Sequence, residues 1–314
     1  MVKSSQKIKV SVIILTYNGK DLVRSELLDL SKQKYPQNIS FKCFLVDNGS
    51  TDGTGEEFKD YSSKGFDFEY INTHSNLGFA EGNNVGIRKS LSQGYEYQIL
   101  LNNDVILPQD WLSKMVGFME KNKSVGLASP KIYFAKGFEF HKDRYKEEDL
   151  SKVIWYAGGT IDWDNLYTSH DGVDEVDTGQ FDSQKETDLT SGSCMIVRRS
   201  VFEKIGFLDK DLFLYWEDTD FSVRAKKVGF KVVYFPDVAV WHKVSVAAGG
   251  SGSASNDYFL TRNRYYFGLR YAKIRTKMAL FRDTVKLAIT GRPWQKKGAV
   301  DALLGIKGPG SYKK

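Results

Sequence analysis

Three groups of side chains in this chain have the right types to do chemistry together. Asp104 closes the turn Leu101-Asn102-Asn103-Asp104-Val105, His242 follows Trp241 at the end of another apolar run, and Glu217-Asp218-Thr219-Asp220 lies between them. A carboxylate and an imidazole suit a divalent cation, and two such ligands leave most coordination positions open for the oxygens of a bound ligand, for instance a diphosphate. The acidic cluster sits at an expected helix start, where a catalytic base can stand. Each element alone is ordinary: turn acids are common, lone histidines are mostly structural, and acids in a first helical turn are favoured by the helix dipole. That dipole also lowers a carboxylate's pKa and weakens it as a base unless burial offsets it. Asp220 and Arg224, four apart, read as a helix-surface pair. His74, His141 and His170 lie in polar loops and are assigned no role.

The elements that must position these groups follow from the apolar pattern. Residues 9–16 and 41–46 are short β-branched or apolar runs, hence buried strands, with further strands at 66–71 and 97–101. Helical spacing follows at 21–32 and from about Gly82 to Leu91. This alternation is the layout of an open α/β sheet, in which ligands bind beyond the carboxyl ends of the strands. Residues 134–190 are polar and rich in Asp, Gly and Tyr, and read as hairpins and long loops. Strands return at 191–199, 230–235 and 238–241, with helices at 202–206 and 217–228. Residues 247–255 are small and polar and read as a mobile loop. From Asp257 the chain is helical, and Ile274, Met278, Phe281, Val285 and Ala288 recur at spacings of four and three opposite lysines and arginines. The domain reading is a main domain over 1–245, in two halves at 1–130 and 131–245, a loop at 246–256 and a basic helical extension at 257–314.

With 314 residues, 41% hydrophobic and 27% charged, the chain can bury a large core and is neither disordered nor membrane-spanning. The first ten residues lack a signal-peptide pattern, and Cys43 and Cys194 sit in apolar runs as buried free thiols, so a cytoplasmic setting is expected. Residues 270–314 carry twelve Lys/Arg against Asp283 and Asp301, which leaves −4 on the rest of a chain whose total is +6. A basic tail on an acidic body does not suit nucleic acid; it suits an anionic surface such as a membrane leaflet, with a dimerisation helix as the competing reading.

Two further segments fit a nucleotide. Asp47 at a strand tip can accept the imide N–H of uracil or thymine, the competing role being a cap on the next helix, which is the role assigned to Asp52. In the run Asn76 to Gly86, Gly78 and Gly82 would let backbone approach a ligand, with the helix N-terminus favouring a negative group.

VSVIILTYN, FLVDNGSTDGT, NLGFAEGNNVGI, LLNNDV and the long segment from SGSCMIVRR through FLYWEDTDF to AVWHK, followed by RNRYYF, resemble glycosyltransferase family 2, in particular its rhamnosyltransferase-like branch of surface polysaccharide assembly. The resemblance implies the GT-A fold, a UDP- or dTDP-sugar donor, Mg²⁺ or Mn²⁺, and inversion at the anomeric carbon. It implies that Thr16, Tyr17 and Asn18 border the nucleotide, that Asp47 reads the base, and that Asn76, Gly78 and Asn83 line the nucleotide-sugar. Asn102, Asn103 and Asp104 stand at the family's Asp-x-Asp, with Asn in place of the first acid. Asp104 and His242 are then the metal ligands, Asp218 the general base, Glu217 its orienting neighbour, and Arg262 a basic residue reaching the diphosphate. Trp155, Tyr156, Trp163 and Tyr167 would supply an acceptor platform for a glycan or lipid-linked saccharide. The competing functions are a sugar-phosphate nucleotidyltransferase, which would want a basic glycine-rich loop after the first strand, and a non-catalytic lectin or scaffold on the same fold.

Overall fold

The structure, a computed structural model, describes residues 7–63, 65–244 and 252–312. In chain order its first half comprises β1 (Ile8–Thr16), α1 (Lys20–Ser31), β2 (Ile39–Asp47), α2 (Thr54–Phe58), β3 (Asp67–Asn72), α3 (Gly78–Ser92), β4 (Tyr97–Asn102), β5 (Val105–Ile106), α4 (Trp111–Lys121) and β6 (Val125–Phe134). Then follow β7 (Ile154–Tyr156), β8 (Gly159–Asp162), β9 (Tyr167–His170), β10 (Lys185–Glu186), β11 (Cys194–Arg198), α5 (Arg199–Ile205), α6 (Glu217–Lys227) and β12 (Lys231–His242). Three helices close the described chain: α7 (Ala254–Tyr271), α8 (Ile274–Thr290) and α9 (Pro293–Leu304).

The main sheet runs β10-β12-β6-β11-β4-β1-β2-β3, with β5 on β12 and β7 on β6. Strands β1, β2, β3 and β4 pair in parallel, as the strand–helix alternation predicts. β1 is apolar on both faces because both are covered. Val10, Val12 and Ile14 pack with Val23, Leu27 and Leu30 of α1, whereas Ile13 packs with Ala80 and Ile87 of α3. β11 then runs antiparallel to both β4 and β6, which makes the sheet mixed.

Four boundaries differ from the sequence reading. The expected strands at 230–235 and 238–241 are one strand, β12, which follows β6 across a register shift between Phe235 and Ala239. Pro236, which lacks an N–H for the ladder, lies in that shift. α3 begins at Gly78 instead of Gly82, because the Phe213 carbonyl accepts the N–H groups of Phe79 (2.6 Å) and Ala80 (3.3 Å) and so supplies the missing cap. α4 and β6 had no counterpart in the sequence reading; α4 buries Trp111, Leu112, Met115, Val116, Phe118 and Met119 beneath the sheet. Of the loop expected at 247–255, residues 247–251 lie outside the described residues, and α7 has already begun at Ala254, where Ser253 Oγ accepts the Asn256 N–H. No helix among the described residues is long and apolar enough to cross a membrane.

Candidate active site

The turn after β4 and the end of β12 are joined by backbone pairing. Val105 of β5 lies opposite His242, and the Lys243 N–H donates to the Asp104 carbonyl at 2.9 Å. This short antiparallel bridge brings His242 Nε2 to 3.0 Å from Asp104 Oδ1, with both side chains buried. Asp104 Oδ1 makes no hydrogen bond, and His242 Nδ1 has no partner among the described residues. A carboxylate oxygen and an imidazole nitrogen at this separation make an ion pair when the imidazole is protonated and suit a shared cation when Nε2 is free. Octahedral ligands held ~2.1 Å from Mg²⁺ stand ~3.0 Å apart at adjacent positions, which is the separation found. No group of three or more His, Cys, Asp or Glu placed to hold a metal ion is found among the described residues.

Trp155 covers the imidazole edge-on, with ring centroids 4.8 Å apart, and packs in turn against His170 at 4.5 Å. His170 Nδ1 lies 3.1 Å from the Trp155 carbonyl, and burial pulls its pKa down to about 4, so it is neutral at pH 7. The sequence offered no signal for His170, because only the β8–β9 hairpin places it behind Trp155. Tyr156 is not part of a platform: it is wholly buried and its hydroxyl donates to the Leu189 carbonyl. Trp163 and Tyr167 remain exposed but pack on α7 through Phe267 and Arg264.

The acidic cluster opens α6 from a strained approach. Phe213, Tyr215 and Trp216 all have φ between 66° and 74°, a left-handed conformation that costs non-glycine residues roughly 1–2 kcal/mol each. Asn263 of α7 holds that segment, its Nδ2 lying 2.8–2.9 Å from the carbonyls of Leu212, Leu214 and Tyr215. Arg262 does the same next door, donating to the carbonyls of Leu212 (3.0 Å) and Gly308 (2.6 Å) with 0% of its surface exposed. The expectation that Arg262 reaches a diphosphate is therefore wrong: its guanidinium is spent on backbone inside the protein.

Asp218 is anchored on both oxygens. Oδ2 accepts the Gly192 N–H at 3.0 Å and Oδ1 the Thr219 N–H at 2.7 Å. Burial raises its pKa, outweighing these hydrogen bonds, so the dipole effect that would weaken a base is overcome. Glu217 is buried with Oε2 unpartnered, and burial, then the neighbouring Asp218 charge, push its pKa well up. It shares no hydrogen bond with Asp218, so the orienting role expected of Glu217 belongs to Gly192 and Thr219; adjacent helical residues point about 100° apart. The Asp220–Arg224 pair is present at 2.7 Å, but Asp220 is buried instead of lying on the helix surface, because Arg270 and Tyr271 of α7 also close on it. Gly192 precedes Ser193, whose carbonyl accepts the Asn102 N–H at 2.9 Å. One loop thus links Asp218 to the strand end that carries Asp104.

Around the tips of β1, β2 and β4 the polar residues mostly brace one another. Asn103 Nδ2 donates to Thr16 Oγ1 at 2.9 Å, and both are buried. Asn18, left-handed at φ 52°, accepts the Thr51 N–H at 2.8 Å, whereas Tyr17 is 51% exposed. Asp47 is wholly buried, accepting from the Tyr70 hydroxyl (2.6 Å) and the Ser50 N–H (2.8 Å). Asp52 is the cap it was expected to be, accepting the Lys20 N–H at 3.0 Å and the Thr54 N–H at 3.1 Å. Asn76 Oδ1 accepts from Asn48 Nδ2 and the Gly78 N–H, and Asn83 Nδ2 donates to the Phe79 carbonyl. Asn48, not singled out in the sequence, also accepts the Leu77 N–H and so ties β2 to this loop.

The glycines of α3 serve packing. A Cβ on Gly78, at φ +82°, would come within 2.5 Å of the Phe213 ring, and one on Gly82 within 2.5 Å of Leu15. The close approach read from them is helix against sheet, not backbone against ligand. The helix N-terminus proposed to meet a negative group is already taken by the Phe213 carbonyl.

The sequence matches Glycosyl transferase family 2 over residues 11–206. It is 25% identical over 257 residues to the low-salt glycan biosynthesis hexosyltransferase Agl10 of Haloferax volcanii, covering 82% of this chain and 74% of that protein. It is 26% identical to the dTDP-rhamnosyl transferase RfbF of Shigella flexneri over 54% of this chain and 50% of RfbF, so it spans half of that relative's length. It is 25% identical to an N-acetylglucosaminyl-diphospho-decaprenol L-rhamnosyltransferase of Mycobacterium tuberculosis over 65% of this chain and 67% of that protein. Among solved structures, the mannosyltransferase PcManGT of Pyrobaculum calidifontis, in complex with GDP-Man and Mn²⁺, superposes with TM-score 0.53 at 18% identity over 95% of this chain and 75% of its own. S. aureus TarS 1–349 in complex with UDP gives TM-score 0.58 at 17% identity over 94% and 79%. These neighbours share the GT-A fold, and with the motif order and the family match they place the chain among sugar-transferring enzymes: it belongs to glycosyl transferase family 2.

Proposed function

We propose that this glycosyltransferase moves a rhamnose-like or other hexose from a UDP- or dTDP-sugar to a hydroxyl of a glycan or lipid-linked saccharide, by a single displacement with inversion. The observation that carries the reading is the convergence of Asp104 Oδ1 and His242 Nε2 at 3.0 Å beside the loop that holds Asp218. Asp104 and His242 would hold Mg²⁺ or Mn²⁺, which when bound supplies positive charge to a leaving diphosphate. Asp218, its carboxylate fixed by Gly192 and Thr219, takes the proton of the acceptor hydroxyl as that oxygen attacks the anomeric carbon. The proton ends on Asp218, the new bond is glycosidic, and the bond to the diphosphate oxygen breaks. One base without a paired nucleophile matches a single displacement. The exposed Tyr17 ring offers a face for the base, whereas Asp47 lies fully buried, accepting the Tyr70 hydroxyl and the Ser50 N–H. Trp155, half-buried and edge-on to His242, is assigned to the acceptor. The enzyme is placed at the cytoplasmic face of a membrane, with the basic C-terminal helices as the contact and a homodimer as the competing use of them.

Titration calorimetry with UDP, dTDP and GDP, in Mn²⁺ and again in EDTA, tests the reading. Metal-dependent binding of UDP or dTDP is expected, weakened on the order of a hundredfold in Asp104→Ala, since losing even an outer-shell partner costs ~10–100-fold. A protein that binds none of the three under any condition would be a non-catalytic scaffold of this fold.

A further inference from the structure

α8 is amphipathic in the reverse of the usual sense. At 100° per residue, Ile274, Met278, Phe281 and Val285 form one stripe, yet the structure turns that stripe outward. Ile274 is 75% exposed, Met278 65%, Phe281 51% and Ile289, at the stripe's edge, 68%. The face turned to the protein carries Thr276, Leu280 and Thr284 instead. A helix that buries threonines and shows four large apolar side chains to solvent has a second apolar environment to meet.

The charges beside the stripe identify that environment. On the helical wheel Arg275, Arg282 and Lys286 line one flank and Lys277 the other. The acids of α8 and α9 are taken: Asp283 pairs with Arg264 at 2.6 Å, and Asp301 accepts from Ser311 and from the Tyr258 hydroxyl. Arg292 is likewise bound to Asp257. The stripe's flanks therefore present cations with no acid of either helix left to neutralise them. A second copy docked stripe to stripe would bring these cations against one another. An anionic bilayer satisfies both halves, taking the apolar side chains below its headgroups and the lysines and arginines at their level.

We infer that α8 is an interfacial membrane helix that docks this protein on an anionic lipid surface through Ile274, Met278, Phe281 and Ile289, flanked by Arg275, Lys277, Arg282 and Lys286. This deepens the membrane contact named above and is read without donor or acceptor, so its failure leaves the transferase reading untouched. The test uses the full chain with vesicles of phosphatidylcholine alone and of phosphatidylcholine with phosphatidylglycerol, by co-sedimentation at low and high salt. Binding to the anionic vesicles only is expected. Reversing the four cations to Glu lowers partition ~1,000-fold or more, given the contribution of each basic residue near such a surface. Met278→Ser with Phe281→Ser also weakens it, ~10-fold or more; five of the six positions are exposed and Lys277 is half-buried, so the fold survives. Equal partition on both vesicle types, or none, overturns the inference. So does a wild-type dimer in size-exclusion chromatography that the serine variants dissociate, since the stripe is then a subunit contact.

Discussion

Replacing Asp218 with Asn separates its chemical role from its structural one. An amide keeps one carbonyl oxygen, so it can accept from Gly192 or from Thr219 but not from both. The NH₂ then faces a backbone N–H, and the unmet donor costs ~1–3 kcal/mol. Against this, the variant no longer carries a charge into the buried position whose desolvation raises the Asp218 pKa. These effects oppose, and the net change in stability should stay within ~2 kcal/mol. The catalytic loss has no such offset. Removing the general base lowers turnover by ~10²–10⁴, or ~3–5 kcal/mol in the barrier. Donor KM should hold, because the proton acceptor acts on the acceptor hydroxyl. Wild-type activity should fall as pH drops through the raised Asp218 pKa, since the base works only ionised, and the variant's residual rate should lack that limb. The assay is release of nucleoside diphosphate over pH 5–9 with a saturating acceptor, beside a thermal melt. A folded variant with turnover within ~tenfold of wild type and the same acid limb would show that the base lies elsewhere.

Two further perturbations probe how the site is held. Asn263→Ala removes an NH₂ whose two N–H groups are shared by three carbonyls and should cost ~2–4 kcal/mol at about 1 kcal/mol per bond. It should also lower turnover at least ~tenfold at unchanged donor KM, because the strained segment into α6 relaxes; a drop in melting temperature with turnover intact would make Asn263 merely structural. Glu26 is buried with Oε1 unpartnered, and burial first, then Asp29 and Asp104, hold its pKa well above the ordinary value. A raised pKa means the folded state keeps a proton that the unfolded chain releases, so this stability is present below the unfolded value and lost as pH rises through the folded one. In EDTA, Glu26→Gln should therefore gain on wild type by a few degrees as pH goes from 4 to 8. A melting difference that is constant across that range would contradict the assignment.

What was readable without coordinates was whatever local pattern determines. β1 and β2 are apolar runs that only a doubly covered strand explains, and α6 opens on acids and ends near Gly229 as dipole and capping chemistry require. Asp52 caps, Asp220 pairs with Arg224, and Cys43 and Cys194 are buried thiols, because each depends on neighbours a few residues away or on bulk hydrophobicity. Residue types likewise nominated Asp104, His242 and Asp218. Their assembly was not readable. The β5–β12 bridge that sets Asp104 against His242, the Gly192 N–H that anchors Asp218, and His170 behind Trp155 are all contacts across long sequence separations. The corrections have the same origin. Arg262 carries a charge that suits a diphosphate, but α7 packs it onto carbonyls; Gly78 and Gly82 have the freedom a ligand could use, but Phe213 and Leu15 occupy the space. The apolar stripe of α8 is visible as a period of 3.6, and a period defines a face without saying what lies against it. Only packing determined that Leu280 and the threonines turn inward and Phe281 outward, because a helix's direction is set by the shape and chemistry of everything it meets, which no local window contains.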